Sequence, residues 1–126
     1  MDAKLKNILV REVSMRLPFA TWLELDGTMS GHINNIEVVH HFNDTDFPQE
    51  LDAWVDFFGD GDKINITYFK LLLRPISDLT EAERKKLGGL KTDRERHLFY
   101  LSHHIDDGGL IQMGLAKPVT YTYYFL

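Results

Sequence analysis

Hydrophobic positions along the chain change from a helical spacing to short β-prone runs and then back to a helical spacing. Within residues 3–17, five aliphatic side chains lie on one helical face, and Pro18 limits the extension of this helix. Those five are Leu5, Ile8, Leu9, Val13 and Leu17. Four runs with strand-like composition follow, separated by turn residues; they cover residues 19–25, 28–42, 51–58 and 63–73.

The segment Tyr68–Leu87 marks the change from strands to helices. Its first half, YFKLLL, is short, aromatic and aliphatic, which is typical of a mostly buried strand. Arg74 precedes Pro75 and is therefore biased towards extended backbone. Thr80 and Glu83 then form a capping-box pattern, in which the two side chains satisfy exposed N–H groups at the start of a helix.

A second capping-box pattern at Thr92–Glu95 predicts another helix, which reaches to about His104. Leu98, Leu101 and Ile105 are expected to form its buried face. The last eight residues, 119–126, are rich in tyrosine and predict a strand-like tail, for which three alternatives stay open: it joins a sheet edge, joins another chain, or is disordered.

These elements predict an α+β fold with an N-terminal helix, a small antiparallel sheet and short C-terminal helices. The sheet is expected to have four or five strands and to curl, or to close into a barrel. A chain of 126 residues suits a single domain. Within it, residues 1–75 carry the first helix and the strands, residues 76–118 the helical part, and residues 119–126 the tail.

Charge is unevenly distributed along a chain whose formal net charge is −5. Residues 44–62 contain seven acidic and no basic side chains, whereas residues 84–97 contain six basic and two acidic ones. The simpler interpretation of this asymmetry is two solvated faces. The alternative is that the uneven charge steers a charged partner. The candidate partner-binding residues are Asp52, Asp56, Asp60, Arg84, Lys85 and Lys86. The net charge argues against nucleic acid as the partner, and the basic segment lacks the interleaved aromatics of a stacking platform.

Histidine and aspartate cluster twice, which suggests a divalent-metal site. The candidate ligands are His40, His41, His103, His104 and Asp106. Neither cluster has the H-x-x-x-H spacing that places two imidazoles on one helix face, so structural or solvated histidine is the simpler interpretation. No catalytic-nucleophile, phosphate-binding or calcium-loop pattern fits the chain, and we predict no cofactor and no catalytic residue.

The composition predicts a soluble, cytoplasmic protein. The chain has no cysteine, so it needs no oxidising compartment. The N-terminal MDAKLKNIL does not have the pattern of a signal peptide, and no run reaches the roughly 20 apolar residues of a membrane span.

Three segments together resemble a family of small uncharacterised proteins of phages, prophages and anaerobic gut bacteria. They are residues 9–19 (LVREVSMRLPF), 73–80 (LRPISDLT) and 103–116 (HHIDDGGLIQMGLA). Those proteins show RLPYG-like, LRPMSSMT-like and HHFDYRGLIEKGLA-like motifs in the same order. The resemblance implies a setting, a mobile element in a bacterial cell, but no mechanism.

The leading hypothesis is therefore a non-enzymatic accessory protein that binds a cellular macromolecule, with a protein among the candidate partners. One alternative is a metal-dependent hydrolase or nuclease that uses the two His/Asp clusters. Another is a structural or assembly protein that forms oligomers through residues 119–126.

Overall fold

The structure is a computed structural model that describes residues 1–32, 35–41 and 50–125. The side chains of His40 and His41 lie outside this description. The chain divides into two compact units, Met1–Leu71 (the first unit) and Leu72–Leu126 (the second unit). The helices are α1 (Ala3–Arg16), α2 (Glu81–Gly88), α3 (Asp93–Ser102) and α4 (Tyr121–Phe125). The strands are β1 (Trp22–Leu25), β2 (Met29–His32), β3 (Ile36–His41), β4 (Glu50–Val55), β5 (Ile64–Asn65), β6 (Phe69–Pro75), β7 (Ile105–Asp106) and β8 (Ala116–Pro118).

Helix α1 packs on strand β4 in the first unit. The helix begins where Asp2 accepts a hydrogen bond from the Lys4 N–H at 2.7 Å, as an N-cap side chain does. The Asn7 side chain accepts a hydrogen bond from the Leu51 N–H at 2.7 Å and so ties the two elements together. The core of this unit is aliphatic and aromatic and includes Leu9, Val10, Val13, Leu23, Ala53, Val55, Ile66, Phe69 and Leu71.

The first unit contains antiparallel pairs, as the sequence predicts. Strands β1 and β2 form the expected hairpin, and Asp26 and Gly27 in its turn both have left-handed backbone (φ 46° and 74°), which explains the Asp-Gly pair. Strand β1 also pairs with Phe69–Leu71 of β6, and β3, β4 and β5 form a separate three-stranded sheet. The α+β class is confirmed, but the strands stay in open sheets and the barrel is not formed.

The second unit places two short strands and three helices around the end of β6. Arg74 of β6 pairs with Ile105 of β7 in parallel, and β8 also pairs with β6. Both hydrogen bonds of the Thr80–Glu83 capping box are present at the start of α2, so the predicted helix start is confirmed. Leu79, Phe99 and Ile105 form a buried cluster against which Leu87, Leu90 and Tyr100 pack.

Two predictions about the second unit are wrong. Helix α3 ends at Ser102 rather than near His104, and Ile105 lies in β7. Leu101 and Ile105 are buried as predicted, but Leu98 is 44% exposed and Phe99 is buried instead. The tail does not form a strand in residues 121–125, which are helical. The reason is tertiary packing: the Tyr124 ring stacks on His104 at 3.8 Å, and its hydroxyl donates to the Leu72 carbonyl at 2.6 Å. These contacts override the β-propensity of the tyrosines.

Candidate functional site

The most strongly bonded group in the second unit is the guanidinium of Arg74, which is fully buried. Its Nη1 and Nη2 donate to the two carboxylate oxygens of Glu83 at 2.9 and 2.6 Å, and its Nε donates to Asp78 at 2.8 Å. The planar guanidinium matches this two-pronged carboxylate geometry, which a lysine would not reproduce. We call Arg74, Asp78 and Glu83 the Arg74 cluster.

All five N–H groups of Arg74 are used within the protein. The remaining two donate to the main-chain carbonyls of His103 (3.2 Å) and Asp78 (3.0 Å). The rings of Tyr121 and Phe125 lie 5.1 and 5.6 Å from the guanidinium carbon, within the range of cation–π attraction. Because no donor is left over, the Arg74 cluster holds the fold together and does not offer a binding site for an anion.

The pKa values of the cluster agree with this structural role. Burial alone would lower the pKa of Arg74, but the hydrogen bonds to Glu83 and Asp78 raise it above its ordinary value. The pKa of Glu83 falls to about 2, chiefly because of its hydrogen bond to Arg74; burial opposes the fall and the Thr80 N–H adds to it. The pair therefore stays ionised throughout the neutral range.

Sequence reasoning did not identify Arg74 as a buried residue. Arginine is rarely fully buried, and the sequence pattern at Arg74 indicates only an extended residue before Pro75. The available signal was the spacing of the acidic residues that follow it. Asp78 lies four residues later, and Glu83 of the capping box lies nine residues later. Both therefore lie close enough to reach Arg74 where the chain passes from the predicted strand to the predicted helix.

Two of the predicted metal ligands, His103 and His104, have ring contacts inside the second unit. The His103 ring stacks on Phe99 at 3.9 Å, and its Nδ1 lies 2.9 Å from the Phe99 carbonyl oxygen. His104 is buried, has left-handed backbone (φ 60°) and stacks on Tyr124. The side chains of His40 and His41 lie outside the described residues.

Asp106, the fifth predicted ligand, holds the following turn in place. Its two carboxylate oxygens accept hydrogen bonds from the Leu110 and Ile111 N–H groups at 2.8 and 2.9 Å. It also lines an open cavity of about 380 Å³ together with Ile76, Asp107 and four other residues. Among the described side chains, those of residues 1–32, 35–39 and 50–125, no three His, Cys, Asp or Glu form a group that would hold a metal ion.

The acidic candidates in the first unit are largely occupied by bonds within that unit. Asp52 accepts a hydrogen bond from the Asn65 side chain at 2.9 Å and lies 3.8 Å from the Lys6 ammonium. Asp56 accepts from the Gly59 and Gly61 N–H groups. The third candidate, Asp60, is exposed, and among the described residues it accepts only from the N–H of residue 62, at 3.0 Å.

The basic candidates belong to a larger exposed group in the second unit. We call this group the basic surface; its members are Arg84, Lys85, Lys86, Lys91 and Arg94, all of them exposed. Arg84 donates to the main-chain carbonyls of Leu79 and Ser77 at 3.2 and 3.4 Å, which leaves its charge unneutralised. The ion pairs among the described residues involve none of the five side chains.

A larger groove, of about 590 Å³, lies beside helix α1 in the first unit and is lined by Ala3, Lys4, Asn7, Ile8, Arg11 and Glu50. Among these residues, Asn7 already holds the Leu51 N–H, and Glu50 lies 2.9 Å from the Lys6 ammonium. The described residues that line the groove therefore form no arrangement of acid, base and nucleophile that would support catalysis.

Within the described ranges, no helix is long and apolar enough to cross a membrane. Comparison of the chain with protein-family models, with curated protein sequences and with solved structures found no match.

Proposed function

We propose that this protein is a non-enzymatic binding protein that recognises another protein through a charged face. The observation that carries the proposal is the separation of charge between the two units. Residues 1–71 carry twelve acidic and six basic side chains, whereas residues 72–126 carry seven acidic and eight basic ones. Charge that is sorted in this way speeds association with a complementary partner and selects against the wrong one.

The bonding of the candidate catalytic groups supports the same proposal. Asp106 holds two main-chain N–H groups, Glu83 holds Arg74, and His103 and His104 are stacked on aromatic rings. A general acid or base needs a side chain that faces a substrate with a lone pair or proton to exchange. These groups are instead committed to contacts that hold the second unit together.

The setting that we propose is the cytoplasm of a bacterium, with the gene carried by a phage, prophage or other mobile element. It rests on the resemblance of residues 9–19, 73–80 and 103–116 to a family found in such elements. An accessory protein of this kind acts by binding a component of the host cell, which agrees with the charged faces and with the lack of a catalytic motif.

Affinity purification from a bacterial host, followed by native mass spectrometry, tests the proposal. We expect a stoichiometric complex with a host protein that dissociates as the salt concentration rises, because salt screens exposed charges. Charge reversal at Asp52, Asp56 and Asp60 should be compared with charge reversal at Arg84, Lys85 and Lys86. Thermal unfolding must show that each variant keeps its fold, because Asp52 and Asp56 also hold groups of the first unit. If both triple variants keep every interaction of the wild type, or if the purified chain carries only a metal ion or a small molecule, the proposal is wrong.

A further inference from the structure

We infer that the basic surface, rather than the acidic candidates Asp52, Asp56 and Asp60, is the docking site, and that it takes an acidic segment of a partner protein that also carries an apolar side chain. This inference rests on the proposed function and specifies its partner. The occupant is defined by carboxylates that pair with exposed cations of the basic surface and by one aliphatic or aromatic residue that packs on Leu98, which shares a helix face with Arg94. Four observations support it.

The first observation is that the acidic candidates Asp52 and Asp56 have more hydrogen bonds within the protein than most cations of the basic surface have. Asp52 and Asp56 each hold two or more polar groups of the first unit, so their charges already stabilise the fold. Lys85, Lys86, Lys91 and Arg94 are exposed and have no hydrogen bond or ion pair among the described residues. Their ammonium and guanidinium groups are therefore available for a partner.

The second observation is that neighbouring acids do not neutralise the basic surface. The Asp93 carboxylate lies 2.5 Å from the Arg96 guanidinium, and a Glu95 carboxylate oxygen lies 3.1 Å from the Thr92 hydroxyl. Glu83 is bound to the buried Arg74. Glu83, Asp93 and Glu95 therefore bond to groups outside the basic surface. On α2, Glu81 is the exposed carboxylate without a hydrogen bond or ion pair among the described residues.

The third observation concerns the position of Arg94, in the first turn of α3. The N-terminal end of a helix carries partial positive charge, so a cation there is disfavoured. Helix stability therefore does not explain Arg94. Its exposed guanidinium does suit a site that binds carboxylates, and arginine is enriched at protein–protein interfaces.

The fourth observation distinguishes a protein segment from a nucleic acid. Leu98 is 44% exposed and lies four residues after Arg94, on the same face of α3. An exposed leucine adds nothing to the binding of a phosphate backbone, but it suits an apolar residue of a protein partner. The basic surface has no aromatic residue on which a base would stack, and the net charge of −5 repels a long polyanion.

Selection from a random-peptide display library tests the inference without knowledge of the natural partner. The wild-type chain is the bait, and the enriched peptides are synthesised and titrated at low and high salt. We expect enriched peptides to be rich in Asp and Glu and to contain at least one Leu, Ile or Phe. The variant K85E/K86E should weaken their binding by about tenfold or more, since like charges across an interface are costly. L98A should weaken it by about threefold to tenfold.

The matched control is K4E/R11E, which reverses two exposed cations on α1 in the first unit and should leave peptide affinity within about twofold of the wild type. Thermal unfolding of every variant checks that the fold is kept, and the neutralising variant K85Q/K86Q gives a milder second test. The inference is overturned if no peptide is enriched, if the enriched peptides lack acidic bias, or if they bind K85E/K86E as tightly as the wild type.

Oligonucleotides, single-stranded and duplex, are tested as competitors at the same salt concentration. If one of them displaces the peptides and binds more tightly than they do, the basic surface is a nucleic-acid site and the inference is overturned. Failure of this inference can be distinguished from failure of the proposed function. A host-protein complex that depends on Asp52, Asp56 and Asp60, and not on the basic surface, would leave the proposed function standing while this inference fails.

Discussion

Arg74 and Glu83 form a buried ion pair with two parallel hydrogen bonds, 2.9 Å from Nη1 and 2.6 Å from Nη2 to the two carboxylate oxygens. Arg74 comes from the end of strand β6, and Glu83 from the first turn of helix α2. Since Glu83 also completes the capping box with Thr80, one side chain both starts the helix and attaches it to the strand.

Replacing Glu83 with glutamine should separate these two roles. A glutamine still completes a capping box, but it leaves the buried Arg74 with only Asp78 as a charged partner. We expect the free energy of unfolding to fall by about 2–4 kcal/mol, towards the lower end of the range for breaking a buried pair. Urea denaturation monitored by circular dichroism would measure this loss.

The control for that experiment is the exposed Glu81, two residues earlier in the same helical turn. Glu81→Gln removes one charge near the helix N-terminus and should cost no more than about 0.5–1 kcal/mol. Equal losses for the two variants would mean that the ion pair with Arg74 contributes no more than an ordinary first-turn carboxylate.

The lowered pKa of Glu83 also predicts how stability depends on pH. The ordinary value for the unfolded chain is 4.5, and the folded value is about 2. Between these values the unfolded chain binds a proton that the folded chain does not, so acid favours unfolding. The contribution of Glu83, about 3 kcal/mol, is fully present above the unfolded pKa and is lost as the pH falls from about 5 towards about 2.

Denaturation curves of the wild type and of Glu83→Gln, recorded from neutral pH to about pH 2.5, would check this prediction. Other carboxylates titrate in both proteins, so the difference between the two curves isolates Glu83. The two free energies should converge as the pH is lowered. A difference that stays constant across the acid range would show that the proton uptake on unfolding does not come from this residue.

Local signals were sufficient to predict most of the elements. The Thr80–Glu83 and Thr92–Glu95 patterns each mark a helix start in the structure, and Asp26-Gly27 marks a hairpin turn. Each of these capping and turn patterns involves residues within a few positions of one another, so sequence spacing alone is enough to predict the helix start or the turn.

The capping box itself gives a further prediction. In Thr80→Ala, the Glu83 N–H loses its side-chain acceptor, whose distance is 3.1 Å in the structure. We expect a loss of about 1 kcal/mol in the free energy of unfolding, typical of an N-cap threonine. Thr80→Ser keeps the hydroxyl and should recover most of this loss; an equally destabilised serine variant would mean that the methyl group, and not the cap, stabilises the helix.

The candidate site was less predictable because it depends on contacts between distant parts of the chain. The Arg74 cluster brings together residues four and nine positions apart, and its arginine also bonds the carbonyl of His103, 29 positions away. The same holds for the tail, where Tyr124 bonds Leu72 from 52 positions away. Strand propensity favours an extended tail, whereas these contacts determine a helix, and no local pattern reports them.

The bond from the Tyr124 hydroxyl to the Leu72 carbonyl gives the last prediction. Tyr124→Phe keeps the ring that stacks on His104 but removes the donor, whose distance to the carbonyl oxygen is 2.6 Å. We expect a loss of about 1–2 kcal/mol in the free energy of unfolding, because the carbonyl of the buried Leu72 loses this bond.

Tyr121→Phe is the matched control, since the exposed Tyr121 hydroxyl has no hydrogen bond among the described residues, and it should change stability by less than about 0.5 kcal/mol. Sedimentation of both variants at several concentrations would test the alternative in which residues 119–126 mediate assembly. If Tyr124→Phe is as stable as the wild type but dissociates an oligomer, this hydroxyl acts between chains. If it is less stable at every concentration, the hydroxyl anchors the tail to its own unit.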